Sequence, residues 1–391
     1  MPIYKVDGVK KDGLQKYTVR LNYTSDSGQA KQLTRTAYGL EAAKDLERKL
    51  GEQIKRKELS PIKRMTVQQL YDEYVQVKQY EQRETTLDKF KHDMRDYILP
   101  TFRDVRIDKI TVQRMKDWKL TLEEQTYSKR GEETRLSLNT KKSAYSNLRA
   151  LFSYAIEMEY LPRGQNPITK AKNFKDTMSI PTKMDYYTAE EFKCFIKAAK
   201  EVAEAKERQH RDISEWDYYV FFNISFFMGL RKGETHALRF SDINGTTLEV
   251  SRSITQRLKG GDKETPPKNK SSIRKLQMPL PLLQVIREHI ERLKKAGSYH
   301  EDNRICGGVR SLRNATVQRR NERYATNAGL KTIRIHDFRH SHVSLLANEG
   351  INIQEIARRL GHSRIEMTWN TYSHLYPREE ERAVEVLNKI A

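Results

Sequence analysis

The stretch Trp216-Asp217-Tyr218-Tyr219-Val220-Phe221-Phe222-Asn223-Ile224-Ser225-Phe226-Phe227-Met228-Gly229-Leu230-Arg231-Lys232-Gly233-Glu234 decides how the chain is read. From Trp216 to Gly229 it is rich in aromatics and apolar nearly all round, which predicts a helix at the centre of a core. Arg231 follows at once, with Gly229 and Gly233 on either side, a setting that presents a guanidinium into a cleft. The plainer alternative for Arg231 is a helix-end cation meeting the dipole.

Around this segment the chain is far more polar. It has 391 residues, more than one ordinary core accommodates, so two or three domains are expected. Hydrophobic residues make up 37% and the mean hydropathy is −0.83. No run approaches the roughly 18 to 20 apolar residues of a spanning helix, and the opening MPIYKVDGVKKDG has no apolar stretch, so neither a membrane span nor a secretory leader is expected. Cys194 and Cys306 are the only cysteines and lie far apart, which fits a reducing cytoplasm. Lys plus Arg number 73 against 52 Asp plus Glu, a formal charge of +21, and this points to a polyanion, most simply nucleic acid. The excess is +7 over residues 1–64, +4 over 65–180 and +10 over 181–391. Several surfaces touching one long polyanion would need such a spread; a generally basic soluble protein would show it too.

Those three pieces are separated by Glu58-Leu59-Ser60-Pro61 and Asp176-Thr177-Met178-Ser179-Ile180-Pro181. In the first, Lys16 to Tyr23 alternates polar and apolar residues as a half-buried strand does, Thr24 to Gly28 makes a turn, and Lys31 to Thr36 returns. Leu40, Ala43, Leu46, Leu50 and Ile54 then recur at helical spacing. On so small a sheet Lys16, Thr18, Arg20 and Arg35 are candidates for DNA contact, since two- and three-stranded sheets fit the major groove; a solvated sheet face is the alternative.

The second piece reads as a helical bundle. Thr66-Val67-Gln68-Gln69 is a capping box, and further helices fit Thr86 to Ile98 (ending before Pro100), Thr111 to Glu123 and Leu138 to Tyr160. Lys89, Lys91, Lys141, Lys142 and Arg149 are its candidate phosphate contacts. The third piece opens on a second capping box, Tyr187 to Glu191, places strands at Thr247 to Val250 and Arg274 to Met278 about a basic loop, and is mostly helical after Pro279.

The chemistry-bearing residues stand in this third piece. Beyond Arg231 come His336-Asp337-Phe338-Arg339-His340, then Leu360-Gly361-His362-Ser363, then Asn370-Thr371-Tyr372-Ser373-His374. Two arginines, two histidines and a tyrosine suit attack on a phosphodiester. Arginine forks bind non-bridging oxygens and neutralise the charge growing at phosphorus. A histidine moves the nucleophile's proton, and tyrosine becomes a usable nucleophile beside a base and two cations. His336 and His340, four apart, also read as a metal pair, but no third ligand has a recognisable spacing. Tyr376 competes with Tyr372, and His340, His342 and His374 read as structural or as minor phosphate contacts.

These boxes, in order, resemble those of the tyrosine recombinases, the phage and conjugative-transposon integrases of the lambda-integrase type. The resemblance implies a multidomain α+β protein: residues 1–64 a small sheet-plus-helix arm-binding module, 65–180 an all-α core-binding bundle, and 181–391 a mainly α catalytic domain with a small β-sheet. It implies site-specific recombination through a 3′-phosphotyrosyl intermediate, integrating and excising a mobile element. Carried over residue by residue, Arg231 and Arg339 clamp the scissile phosphate, His362 helps hold it, His336 is the base toward Tyr372, and Tyr372 attacks. Glu234 supports the cleft, and Lys268 in Pro267-Lys268-Asn269-Lys270-Ser271 gives the leaving oxygen its proton, with Lys270 the alternative. The covalent link conserves the bond energy, so neither metal nor nucleotide cofactor is implied. The partners implied are double-stranded attachment sites of core and arm type, a homo-tetramer on DNA, an excisionase and a host DNA-bending protein, all in a bacterial cytoplasm at the nucleoid. Within the tail from Arg378 to Leu387 an amphipathic helix would dock on a neighbouring subunit or on its own domain. A type IB topoisomerase shares this chemistry, and a catalytically idle DNA-binding regulator shares the charge.

Overall fold

The computed structural model describes residues 2–24, 30–55, 64–129, 131–162, 166–175, 184–256, 258, 261–265, 272–373, 384 and 387–388. The chain divides into two units, Met1–Ser179 and Ile180–Ala391.

The first unit begins with an antiparallel sheet of β1 (Ile3–Lys11), β2 (Leu14–Thr24) and β3 (Ala30–Tyr38), followed by α1 (Leu40–Lys55). The last three elements lie where alternation and helical spacing place them. β1 does not declare itself in the sequence: Gly8 takes φ +76 and the pairing with β2 shifts register between Lys5 and Lys10, which breaks the period of two. Tyr17, Val19 and Leu21 of β2 and Leu33 and Ala37 of β3 pack with Ala43, Leu46 and Leu50 of α1 in a small core of their own.

The rest of this unit is a helical bundle with a separate core. It comprises α2 (Val67–Lys78), α3 (Glu84–Asp93), α4 (Leu99–Phe102), α5 (Val112–Glu124), a hairpin of β4 (Thr126–Lys129) and β5 (Glu132–Arg135), then α6 (Leu138–Glu157) and α7 (Pro167–Lys170). The capping box forms at Thr66: its hydroxyl accepts from the Gln69 backbone while the Gln69 amide oxygen accepts from Thr66. The sequence predicts a helical stop before Pro100, yet the chain winds on through it. A π-turn over Met94–Ile98 resets the ladder, so Pro100 falls in the first turn of α4, where its missing N–H costs nothing. The hairpin corrects an all-α expectation. Tyr127 to Arg135 is almost wholly polar, so no alternation betrays it.

The second unit holds α8 (Ala189–His210), α9 (Ser214–Met228), α10 (Lys232–Ala237), β6 (Ile243–Asn244), β7 (Thr247–Val250), β8 (Ser253–Thr255), β9 (Lys263–Thr265), β10 (Arg274–Gln277), α11 (Leu280–Lys295), α12 (Asn314–Asn327), α13 (Asp337–Asn348), α14 (Ile353–Leu360) and α15 (Ile365–Tyr372). β10, β7 and β6 form one antiparallel sheet in that order, and β8 pairs with β9. α9 is buried on every side: Val220, Phe221, Phe222, Ile224 and Phe226 all lie in the core. Phe192 stacks on Phe226 at 3.7 Å, and Phe338 from α13 meets the rings of Phe195 and Phe222. Truncating such a ring costs about 3–5 kcal/mol, so α9 and α13 are fixed relative to one another, and both carry site residues at their ends. Among the described residues no helix is long and apolar enough to cross a membrane.

Candidate active site

Gly229 ends α9 in the left-handed region at φ +61, and a Cβ there would come within 2.4 Å of the His342 ring. Only glycine fits. The turn releases the Gly229 carbonyl, which accepts from Arg339 Nη1 at 2.8 Å. Two residues on, Arg231 opens α10. Its backbone N–H donates to Glu234 Oε2 at 3.0 Å and its Nη1 donates to Glu234 Oε1 at 2.9 Å. Glu234 also receives Arg274, through Nη2 at 2.9 Å and Nη1 at 3.3 Å. Burial would raise the Glu234 carboxyl, but Arg274 and Arg231 hold it below its ordinary value. One buried carboxylate therefore holds two arginines. Arg274 was not anticipated as a site residue; its position just past the Lys268 box, opening a strand, was the available signal.

Arg339 is buried, with Nη2 donating to the Leu360 carbonyl at 2.8 Å and facing His362 Nε2 at 2.8 Å. Because a guanidinium only donates, Nε2 of His362 accepts. Nδ1 then carries the proton and donates to Thr368 Oγ1 at 2.7 Å. Burial, then the charges of Arg339 and Arg231, push His362 down to about 4; burial, with Arg231 beside it, lowers Arg339 to about 9, still a cation at neutral pH. Gly361, left-handed at φ +65, turns the chain from α14 so that His362 faces these arginines, and its carbonyl lies 3.5 Å from Arg231 Nη2. Arg231, Arg339, Glu234 and His362 thus converge.

Tyr372, the last residue of α15, is buried, and burial pushes its phenol up to about 12 despite the nearby Arg339. Its hydroxyl bonds to His340 Nδ1 at 2.5 Å. His336, expected as the base, stands edge-on to His340 with ring centres 5.1 Å apart. His340 thus holds the contact expected of His336. Its signal in the sequence was the four-residue spacing, one helical turn, that suggested a metal pair. His342 is structural as expected, buried with Nδ1 facing the Phe226 carbonyl. Lys268, Lys270, His374, Tyr376 and nearly all of the tail lie outside the described residues.

The candidate DNA contacts of the first unit divide. Lys16 and Arg20 share one sheet face, opposite Tyr38 and Thr34, with Arg20 over the Tyr4 ring at 5.2 Å. Arg35 pairs with Val19, which puts it on the other face, beside Leu33 and Ala37; it is exposed there but does not join Lys16 and Arg20. Lys141 is a correction. It is buried, ion-paired with Glu123 and set over the Phe174 ring, so its ammonium serves the bundle. Lys89 likewise bonds Asp93 and Ser143. Arg149 is exposed and Lys142 half-buried.

A family model described as the phage integrase family matches residues 187–379, and one described as the phage integrase N-terminal SAM-like domain matches residues 66–122. The ICEBs1 integrase of Bacillus subtilis (strain 168) is 29% identical over 312 residues, 77% of this chain and 76% of that protein. Among solved structures, the Tn1549 transposon integrase in complex with a circular intermediate DNA aligns with a TM-score of 0.64 at 21% identity, covering 84% of this chain and 100% of that one. A lambda integrase dimer bound to a core site aligns with a TM-score of 0.54 at 16% identity, over 97% of this chain and 95% of that one. The two family models fall on the bundle and on the unit that carries the arginine, histidine and tyrosine cluster, and together they span more than half of the sequence: the chain belongs to the phage integrase family, the tyrosine recombinases.

Proposed function

We propose that the protein is a site-specific DNA recombinase, an integrase that cleaves and rejoins DNA through a 3′-phosphotyrosyl intermediate to integrate and excise a mobile element. The observation that carries this reading is the Tyr372 hydroxyl, hydrogen-bonded to an imidazole one residue along from Arg339. Arg231 and Arg339 bind the non-bridging oxygens of the scissile phosphate and offset the charge that builds at phosphorus. His362 helps hold that phosphate by fixing the Arg339 guanidinium, whose Nη2 its Nε2 accepts from. A histidine of the His336–His340 pair takes the phenol's proton, and Lys268, or Lys270, protonates the departing 5′ oxygen. Glu234 keeps Arg231 aimed.

In this reading residues 1–64 hold arm sites through Lys16, Arg20 and Arg35, residues 65–180 hold the core site with Lys142 and Arg149 on phosphates, and residues 181–391 carry the chemistry. The partners are double-stranded attachment sites and three further copies in a homo-tetramer, with an excisionase and a host bending protein setting direction, in a bacterial cytoplasm at the nucleoid. The test is a nicked suicide duplex bearing the element's end. Wild type gives a denaturation-resistant protein–DNA adduct and Tyr372→Phe gives none. A wild type that binds this duplex without forming an adduct would return the protein to the class of DNA-binding regulators.

A further inference from the structure

We infer that the general base toward Tyr372 is His340, with the nearby charge of Asp337 favouring the required tautomer, a reading that rests on the recombinase function proposed above. His340 Nδ1 lies 2.5 Å from the Tyr372 oxygen, with the ring centres 5.5 Å apart. On the opposite edge of the imidazole, Nε2 faces Asp337 Oδ1 at 3.8 Å, one helical turn earlier on α13. Asp337 is buried and ion-paired with Arg334, whose Nη2 donates to Oδ1 at 2.8 Å, which marks it as a carboxylate. A negative charge on the Nε2 side favours the proton there. The Nδ1 lone pair is then free to accept from the phenol. Nucleophile, imidazole and carboxylate stand in the order that activates hydroxyl nucleophiles elsewhere, the carboxylate here acting through its charge at 3.8 Å rather than through a hydrogen bond.

The surrounding charges favour a neutral ring. His336, Asp337, Arg334 and Arg339 face His340 from α13 and the turn before it, and Tyr372 faces it from α15. Burial first, then His336, push its imidazole down to about 4, with Asp337 opposing. At neutral pH the ring is therefore uncharged, with the Nδ1 lone pair facing the phenol at 2.5 Å. In the step, the Tyr372 O–H bond breaks and its proton passes to His340 Nδ1. The tyrosine oxygen bonds to phosphorus, the bond from phosphorus to the 5′ oxygen breaks, and that oxygen takes a proton from the separate lysine acid. The imidazolium so formed is balanced by Asp337. Rejoining runs the same transfers backward, with His340 returning the proton to the departing phenol.

The test compares single-turnover adduct formation by wild type, His340→Ala, His340→Asn and His336→Ala, on the suicide duplex and on one with a 5′-bridging sulfur at the scissile phosphate. Asparagine places an amide oxygen where Nδ1 stands, so it keeps the contact without the basicity. If alanine fails to fold, the asparagine variant decides. The sulfur leaving group needs no acid but still needs the nucleophile's base. Both His340 variants should lose about 100-fold or more on both duplexes at unchanged DNA affinity, and added imidazole should restore part of the rate to His340→Ala. A His340→Asn variant at wild-type rate would reduce the contact to packing and overturn the inference. So would a defect erased by the sulfur substrate, which would move His340 to the leaving-group side. Wild type forming no adduct on DNA that it binds would overturn the recombinase reading itself, and that failure is told apart from the others by the wild-type control alone.

Discussion

The basic residues of the N-terminal sheet and those of the arginine cluster carry the same charge in opposite settings. Arg20 lies in the open with an aromatic ring beneath it, on a strand face with no carboxylate in register opposite. Arg339 is buried and committed to two backbone carbonyls and an imidazole, while Arg231 and Arg274 share one carboxylate. A solvated cation contributes to a field felt over roughly 10 Å at ordinary salt. A cation tied to carbonyls acts at one point and can stabilise one developing charge. The first kind should tolerate loss singly, and the second should not.

The sharpest break of this comparison is Arg339→Ala. It should lower single-turnover adduct formation at least about 100-fold and leave DNA affinity within a few fold; a loss matching that of Arg20→Ala would erase the distinction. Next is Glu234→Gln, which leaves two arginines facing a neutral amide, one of them buried. It should destabilise the second unit by about 3 kcal/mol in urea unfolding, an effect no exposed carboxylate reproduces.

Protonation gives a graded version. His236, His340 and His362 are pushed to about 4 and His342 to about 3, burial being the leading cause for each, against 6.5 when unfolded. The unfolded chain therefore binds more protons between those values. Stability contributed by the neutral rings is complete above pH 6.5 and is lost as pH falls toward 4, at up to about 1.4 kcal/mol per pH unit for each ring. Unfolding at pH 7, 6 and 5 measures it, and saturating DNA should flatten the slope, because phosphate beside the cations favours protonated imidazole.

The smallest effects lie in the first unit. Lys141→Ala should cost about 1 kcal/mol of stability, since Glu123 is half exposed, and should leave the salt dependence of DNA binding unchanged. Arg20→Ala should do the reverse, lowering affinity a few fold and the salt slope by about one. Exchange of those two outcomes would invert the assignment of which lysines and arginines face the nucleic acid.

What was legible in the sequence follows the same division. Arg231, Arg339, His362 and Tyr372 could be named as candidates because the resemblance rests on their order along the chain, and α9 was legible because an all-apolar helix has only one place to go. The capping boxes at Thr66 and Thr188 announced helix starts by local hydrogen bonding. The contacts of Lys141 and His340 were hidden, because both join residues distant in sequence: Glu123 is 18 residues from Lys141, and Tyr372 is 32 from His340. The face that Arg35 takes was not legible either: it follows from the register that sets Arg35 opposite Val19, and no residue type announces a register.

Phe338 and Arg339 are neighbours on α13, one locked among the rings of the aromatic core and the next holding the end of α9. A gene for this protein therefore has little freedom to trade core against chemistry. Variants selected for heat tolerance at Phe338 or Phe222 will change turnover as well, and directed evolution of a new target sequence will fare better among the bundle and sheet residues, where a substitution leaves the geometry of Arg339 alone.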